Sequence, residues 1–272
     1  MIDLHLHTTA SDGSLAPADL VARAASAGIS TLAVTDHDTI AGLPAAREAA
    51  SARGLSLVNG IEITAVEGGR DVHVLGYFFD PQHAAFAAFL GAQRVDRVRR
   101  AEEMAARLAS AGYPVDITQL LEDGTTRGRS IGRPHVAEAL IAAGHVATRD
   151  EAFDRFLGYG RPAFVPRRGA SVADVIGVLA AAGGIASLAH PGLTRVDPLI
   201  PSLAAAGLAA LEVRHSDHDA EMEARYRALA AAHRLAVSAG SDFHADDSTR
   251  GPKLGRMTMS RGEFSALEAR RR

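Results

Sequence analysis

At 272 residues, 47% hydrophobic and 22% charged, the chain is long enough for one large α/β domain or a domain with an insert, and no run reaches the roughly 18 apolar residues of a membrane span. The absence of cysteine excludes disulfides and thiolate metal sites, leaving imidazole and carboxylate as the metal-binding groups. A formal net charge of −3 excludes a broadly basic, nucleic-acid-coating surface, so an anionic substrate would have to be met by a local cationic pocket.

The first stretch is Asp3-Leu4-His5-Leu6-His7. Strand side chains alternate with period two, so His5 and His7 are expected on one side and Leu4 and Leu6 on the other, where two imidazoles can grip one ion. These histidines interrupt the only apolar segment that could begin a signal peptide, and the expected location is cytoplasmic. The polar loop that follows can fold back to offer Asp12. Pro17 opens a helix to about Ala27, with Leu20, Val21 and Ala24 on one face and Gly28 closing it. A strand from Ile29 to Val34 ends in Thr35-Asp36-His37-Asp38, which puts polar residues at a strand's C-terminal end, where α/β folds place their chemistry. A helix from Leu43 to Ala52 leads to the strand Leu55–Val58 and to Gly60-Ile61-Glu62. After Gly68-Gly69, the segment Val72 to Phe78 reads as another strand, with His73 near its start.

At Pro81 the rhythm changes. One long helical pattern covers about His83 to Ala111, and further helices are expected at Pro134 to Ala143 and Glu151 to Leu157. The βα rhythm then returns, with helices at Val172 to Ala182, Leu199 to Ala206 and Ala220 to His233. Strands are expected at Ile185 to Ala189, at Ala209 to Val213, and at Leu235 to Val237, the first ending in His190-Pro191 and the last leading to Ser241-Asp242-Phe243-His244. The organisation predicted is one barrel-like domain, residues 1–80 and 166–272, interrupted by an inserted helical cap, 81–165.

His5, His7, Asp12, His37, Glu62, His73, His190, Asp242 and His244 all fall at or beside these strand ends, and they take six of the 12 histidines. A ring of imidazoles and carboxylates at one barrel mouth would be poorly solvated and self-repelling without cations, which points to a multinuclear metal site. In the insert, Gly132-Arg133-Pro134-His135 places Arg133 at a helix cap and His135 in the first turn, where free backbone N–H groups attract anions. Arg167 and Arg168 could add substrate contacts. Asp36 and Asp38 could orient ligand histidines. His83, His145 and His233 read as structural or exposed, and His215 and His218 lie nearer the mouth without an assigned role.

Together the motifs Asp3-Leu4-His5-Leu6-His7, Thr35-Asp36-His37-Asp38, Gly60-Ile61-Glu62, Val72-His73-Val74-Leu75, Ala189-His190-Pro191 and Ser241-Asp242-Phe243-His244 resemble the motif series of the PHP (polymerase and histidinol phosphatase) superfamily. The insert resembles that of the branch containing 3',5'-nucleoside bisphosphate phosphatases and related 5'-end ribonucleases. This resemblance implies an α/β fold, a distorted (β/α)7 TIM-like barrel, with two or three divalent ions, Mn first and Fe, Zn or Mg as alternatives. Carried over, His5, His7, Glu62 and Asp242 hold one ion. Glu62, His73 and His190 hold a second, and Asp12, His37 and His244 a third. The expected chemistry is in-line attack by a metal-bound hydroxide, with His135 or a water as proton donor. The expected substrate is a 3',5'-nucleoside bisphosphate losing its 3'-phosphate. Alternatives are 5'-to-3' trimming of short 5'-phosphorylated RNA, hydrolysis of histidinol phosphate, and a non-catalytic metal-binding scaffold. The partners expected are a small nucleotide or short RNA, with no membrane and no protein partner.

Overall fold

Seven strands form one sheet in sequence order: β1 (Ile2–Asp3), β2 (Thr31–Val34), β3 (Ser56–Glu67), β4 (Arg70–Tyr77), β5 (Ile185–Leu188), β6 (Ala210–Arg214) and β7 (Ala236–Ala239). The computed structural model describes residues 1–245 and 254–271. Pairing is parallel from β1 to β3 and from β5 to β7, while β4 runs antiparallel to both of its neighbours. The outer strands approach each other. Leu4 N–H donates to Ala239 O at 3.2 Å, Ser241 N–H donates to the buried Asp3 Oδ1 at 3.0 Å, and an isolated bridge joins Leu6 to Phe243. The sheet is thus nearly closed into the α/β barrel that the sequence predicts.

Helices surround it: α1 (Pro17–Ser26), α2 (Leu43–Ser51), α3 (Ala84–Ser110), α4 (Thr118–Thr126), α5 (Arg133–Ala142), α6 (Arg149–Ala152), α7 (Val172–Ala181), α8 (Pro191–Thr194), α9 (Ile200–Ala205), α10 (Ala220–Ala232) and α11 (Arg261–Glu268). α1 shows why its sequence folds as it does. Pro17 is pre-shaped for the first turn, Leu20, Val21 and Ala24 are buried, and Gly28 leaves the helix at φ +80. No helix among the described residues is long and apolar enough to cross a membrane.

Three differences from the sequence reading have physical causes. Leu55–Val58 and Gly60–Glu62 belong to the one long strand β3, because the turn at Gly68 (φ +56) and Gly69 (φ +79) makes a tight hairpin with β4. α4 was not expected; its Ile117 cap makes no side-chain hydrogen bond, and its start is marked only by Asp116, which accepts Thr118 N–H at 2.9 Å. α11 was also missed, although Ser260 and Glu263 form a capping box that announces it.

α3 is shared between two apolar clusters. Phe86 and Leu90 pack in the cluster between sheet and helices, with Leu32, Val74 and Leu179. Further along, Ala101, Met104 and Leu108 join a second cluster with Val136, Leu140, Phe156 and Val165. Between these points the buried Gln93, Arg97 and Arg100 turn toward the barrel mouth, where Gln93 Nε2 donates to Thr64 O at 3.3 Å.

Candidate metal centre

Because β4 is reversed, its early residues lie at the end of the sheet where the other strands finish. His73, near its start, therefore meets Glu62 midway along β3: His73 Nδ1 and Glu62 Oε1 are 2.8 Å apart. Regular pairing in β1 stops at Asp3, yet the His5 and His7 rings still converge at 5.2 Å. Leu4 and Leu6, expected side by side, enter different apolar clusters. His190 and Asp242 follow β5 and β7 in unusual backbone conformations, φ +26 and φ +51, which a non-glycine residue keeps only where the surroundings hold it. Gly240 is required for close approach, since a Cβ there would lie 2.3 Å from that of His5.

All nine residues predicted from the sequence meet at this mouth. His5 Nε2 is 3.3 Å from Glu62 Oε2 and 3.2 Å from Asp242 Oδ1, and His7 Nε2 is 3.2 Å and 3.1 Å from the same two oxygens. His37 Nδ1 is 3.1 Å from Glu62 Oε2, and His190 Nε2 is 3.0 Å from Glu62 Oε1. Asp12 lies 3.7 Å from His37 and 3.4 Å from His244, whose ring stacks on His7 at 4.1 Å. Six of these facing atoms, His5 Nε2, His7 Nε2, Asp12 Oδ1, His37 Nδ1, Glu62 Oε2 and Asp242 Oδ1, are buried and have no hydrogen-bond partner. Ligands about 2.1 Å from one ion stand roughly 3.0–3.4 Å from each other. Orphaned lone pairs at that separation are poor hydrogen bonds and good coordination polyhedra, so the residues fit divalent metal ions.

The far sides of the site are held by Asp36, which the sequence offered as an orienting group, and by Glu212 and His215, to which it gave no role. His5 Nδ1–H donates to Glu212 Oε1 at 2.9 Å, and the other oxygen of Glu212 accepts the His190 backbone N–H at 2.8 Å. His215 accepts from Asp217 N–H at Nδ1, so its Nε2–H donates to Asp242 Oδ2, at 3.2 Å. Asp36 accepts from Thr8 and Ser11, and Ser11 Oγ lies 3.4 Å from His7 Nδ1. His244 Nδ1–H donates to Asp242 O at 2.9 Å, leaving Nε2 toward Asp12. Glu212 sits in β6, two residues before a strand end, with an apolar residue on each side. Its only sequence signal was a carboxylate inside an apolar strand.

The electrostatics follow from crowding. Burial alone would drive protons off His5, but Glu212, Asp242 and Glu62 hold its pKa well above the usual histidine range. His7, likewise buried, is raised to about 10 by Asp242 and Glu62. His37 goes the other way, down to about 3, because burial and the His7 and His73 charges outweigh Glu62 and Asp12. Burial opposes ionisation of Asp12, Glu62 and Asp242, yet the surrounding imidazoles hold each well below the carboxylate range. Three ionised carboxylates thus share one buried site.

A second charged region adjoins the first. A cavity of about 200 Å³ runs from Asp12, His37 and His73 to Arg97, Arg100, Arg133 and Arg167. Two carboxylates face these guanidinium groups. Asp38 accepts Arg97 Nε at 2.8 Å and Arg167 Nη1 at 3.1 Å, and Asp71 accepts Arg133 Nη2 at 3.5 Å. Burial and the neighbouring Arg167 pull Arg100 down to about 10. Ser130 Oγ and Arg167 Nε are buried here without a hydrogen-bond partner, the latter 4.0 Å from Asp71 Oδ1. Arg97 and Arg100 escaped the sequence reading because they sit inside a long arginine-rich helix that reads as a solvated face. Arg168, by contrast, is exposed and outside the cavity lining. His135 lines the cavity, but Gly132 N–H donates to its Nδ1 at 3.0 Å and its Nε2–H donates to Ser11 O at 2.9 Å. Both ring nitrogens of His135 are thus engaged by backbone groups.

Known proteins are similar to this chain over most of its length. It is 37% identical over 253 residues to a 3',5'-nucleoside bisphosphate phosphatase of Chromobacterium violaceum, covering 90% of this chain and 87% of that one. To a 5'-3' exoribonuclease of Haemophilus influenzae it is 39% identical over 249 residues, 89% of each chain. A candidate metal-dependent phosphoesterase of known structure from Bifidobacterium adolescentis superposes with a TM-score of 0.90 at 34% identity, covering 100% of this chain and 96% of that one. The PHP domain model matches residues 3–145, from the first strand through the arginine-bearing helix α3 and on past α5. With its ligand cluster at the mouth of a nearly closed seven-stranded barrel, the chain belongs to the PHP domain family of phosphoesterases.

Proposed function

We propose that the protein removes the 3'-phosphate from 3',5'-nucleoside bisphosphates, giving the 5'-mononucleotide and phosphate. One observation carries this reading: a single cavity joins the histidine–carboxylate cluster to the arginine basin, so a substrate with two phosphates can engage both. In this reading His5, His7, Glu62 and Asp242 would hold one divalent ion, Glu62, His73 and His190 a second, and Asp12, His37 and His244 a third, with Mn favoured. Bound there, the ions would supply Lewis-acid charge at the reacting phosphoryl group and activate the attacking water. The chain's own residues do the rest. Arg133 and Arg100 bind the phosphate that is not cleaved, with Arg167 Nε and Ser130 Oγ beside it as donors not used in hydrogen bonds. Asp38 fixes the Arg97 and Arg167 side chains, and His135 braces the Asp12 loop against α5 through Ser11 O. Residues 81–165 act as a cap that brings these cationic groups over the mouth.

The competing reading, 5'-to-3' exonucleolytic trimming of short RNA, uses the same basin for a terminal 5'-phosphate, and the name of the Haemophilus relative favours it. The test is product analysis with Mn-loaded protein, given 3'-phosphoadenosine 5'-phosphate and, separately, a short 5'-phosphorylated oligoribonucleotide. Phosphate and 5'-AMP from the first, with the second far slower, supports the bisphosphatase. Efficient release of mononucleotides from the oligonucleotide would replace it with the exonuclease.

A further inference from the structure

Beyond the arginine basin lies a second cavity of about 330 Å³, lined by Gly69, Arg70, Asp71, Arg133, Tyr159 and Phe164. Asp71 and Arg133 line both cavities, so the two adjoin at these side chains. Tyr159 is 74% exposed, and it is the one aromatic ring among the large hydrophobic side chains most open to solvent in the described residues. Its position is built by the backbone. The π-helical turn Phe153–Leu157 ends at Gly158, and Gly160 turns the chain at φ +73, which leaves Tyr159 at the tip of the bend. Its ring lies 5.3 Å from that of Phe164, inclined at 60°. The Arg133 guanidinium stands 5.8 Å from the Phe164 ring centroid and 5.7 Å from that of Phe153. An aromatic pair therefore begins where the cationic basin ends.

We infer that Tyr159 and Phe164 form a nucleobase subsite, on which the base of a nucleotide stacks while its phosphate is held at Arg133. The inference rests on the nucleotide reading of the site and specifies which part of the substrate the cap recognises. Aromatic faces stack any base and read its edge weakly, so the subsite selects nucleotides over other phosphate esters, and purines over pyrimidines through their larger face. Water leaves an exposed ring readily when a flat apolar partner covers it, and the adjoining guanidinium adds attraction to the same aromatic system. Two rings suffice for one base, which matches a mononucleotide or a chain end rather than a long strand.

The test is a binding measurement that needs no turnover. The Mn-loaded full chain is titrated calorimetrically with adenosine 5'-monophosphate and with ribose 5-phosphate, which differ only in the base. The wild type is expected to favour the nucleotide by roughly ten-fold or more. Tyr159→Ala should remove most of that preference and leave ribose 5-phosphate affinity within two-fold of wild type, while Tyr159→Phe keeps it. Equal affinity of the wild type for the two ligands, or a parallel loss of both in Tyr159→Ala, would overturn the inference. Should the bisphosphate prove not to be hydrolysed, the bisphosphatase reading fails while a base-dependent gap in affinity would still stand.

Discussion

Glu212 grips His5 from behind: its Oε1 lies 2.9 Å from His5 Nδ1, with both side chains fully buried. The same carboxylate, through Oε2, accepts the backbone N–H of His190, a residue held at φ +26. One side chain therefore sets the tautomer of a histidine just past β1 and the backbone turn that presents another. Glu212→Gln keeps the shape and removes the charge. Outer partners of ligand histidines typically contribute 10–100-fold to metal affinity, and a loss in that range is expected. Competition with a chelator of known affinity measures it, and unchanged retention would show that Glu212 is only filler.

Metal binding should stabilise the fold, because it fills an array of buried, unpaired nitrogen and oxygen atoms. At a free ion concentration of 100 times Kd the gain is about 2.7 kcal/mol. Thermal unfolding of chelator-stripped protein, with and without Mn, tests this. No shift in Tm at millimolar ion would mean that the cluster does not bind it.

Asp38 neutralises Arg97 and Arg167 in a buried setting, and those guanidinium charges hold its carboxyl below the usual range against the effect of burial. Asp38→Asn leaves two buried cations short of a counter-charge and is expected to destabilise by about 3–5 kcal/mol. Urea unfolding reads the loss, and a change under 1 kcal/mol would sink the argument.

His135 gives a pH dependence with a definite sign. Burial, followed by the Arg129 charge, lowers its pKa in the folded chain. Its contribution to stability is therefore complete above the unfolded-state value of about 6.5 and is lost as pH falls through the folded value. Over that window, metal-stripped wild type should lose stability more steeply on acidification than His135→Gln. Parallel curves would remove His135 from the account.

Helix α3 joins the two apolar clusters, so truncation at either end should weaken one cooperative unit. Leu90→Ala and Leu108→Ala are each expected to cost about 2–5 kcal/mol. Two separated transitions in a calorimetric scan of either variant would show that the clusters unfold independently.

Most of the nine clustered side chains were legible because they follow short apolar runs that stop at polar residues, although Glu62 lies inside the long strand β3 and Asp12 in the loop after His7. Most helix limits, such as those of α1 and α7, were legible from proline, glycine and serine signals. Glu212 was hidden because a carboxylate in mid-strand shows no partner in sequence; His5 is 207 residues away. Arg97 and Arg100 were hidden by their helix, whose charged residues look alike until packing decides which face is buried. The engagement of His135 by Ser11 O was equally out of reach, since it joins a loop near the N-terminus to the start of α5.

The reversal of β4 has a consequence for how such a molecule can diversify. A strand that runs backward delivers the chain to the floor of the barrel, and α3, at 27 residues and about 40 Å, is the mast that returns it to the rim. Phe86 is stepped into the floor beside Phe79, and Arg97 and Arg100 project where the mast passes the rim. Everything rigged above them, from α4 to the Tyr159 bend, can be recut in length and chemistry while the ring of histidines beneath keeps its spacing. Under the proposed function, substrate choice and phosphoester chemistry would then lie on separable parts of one chain.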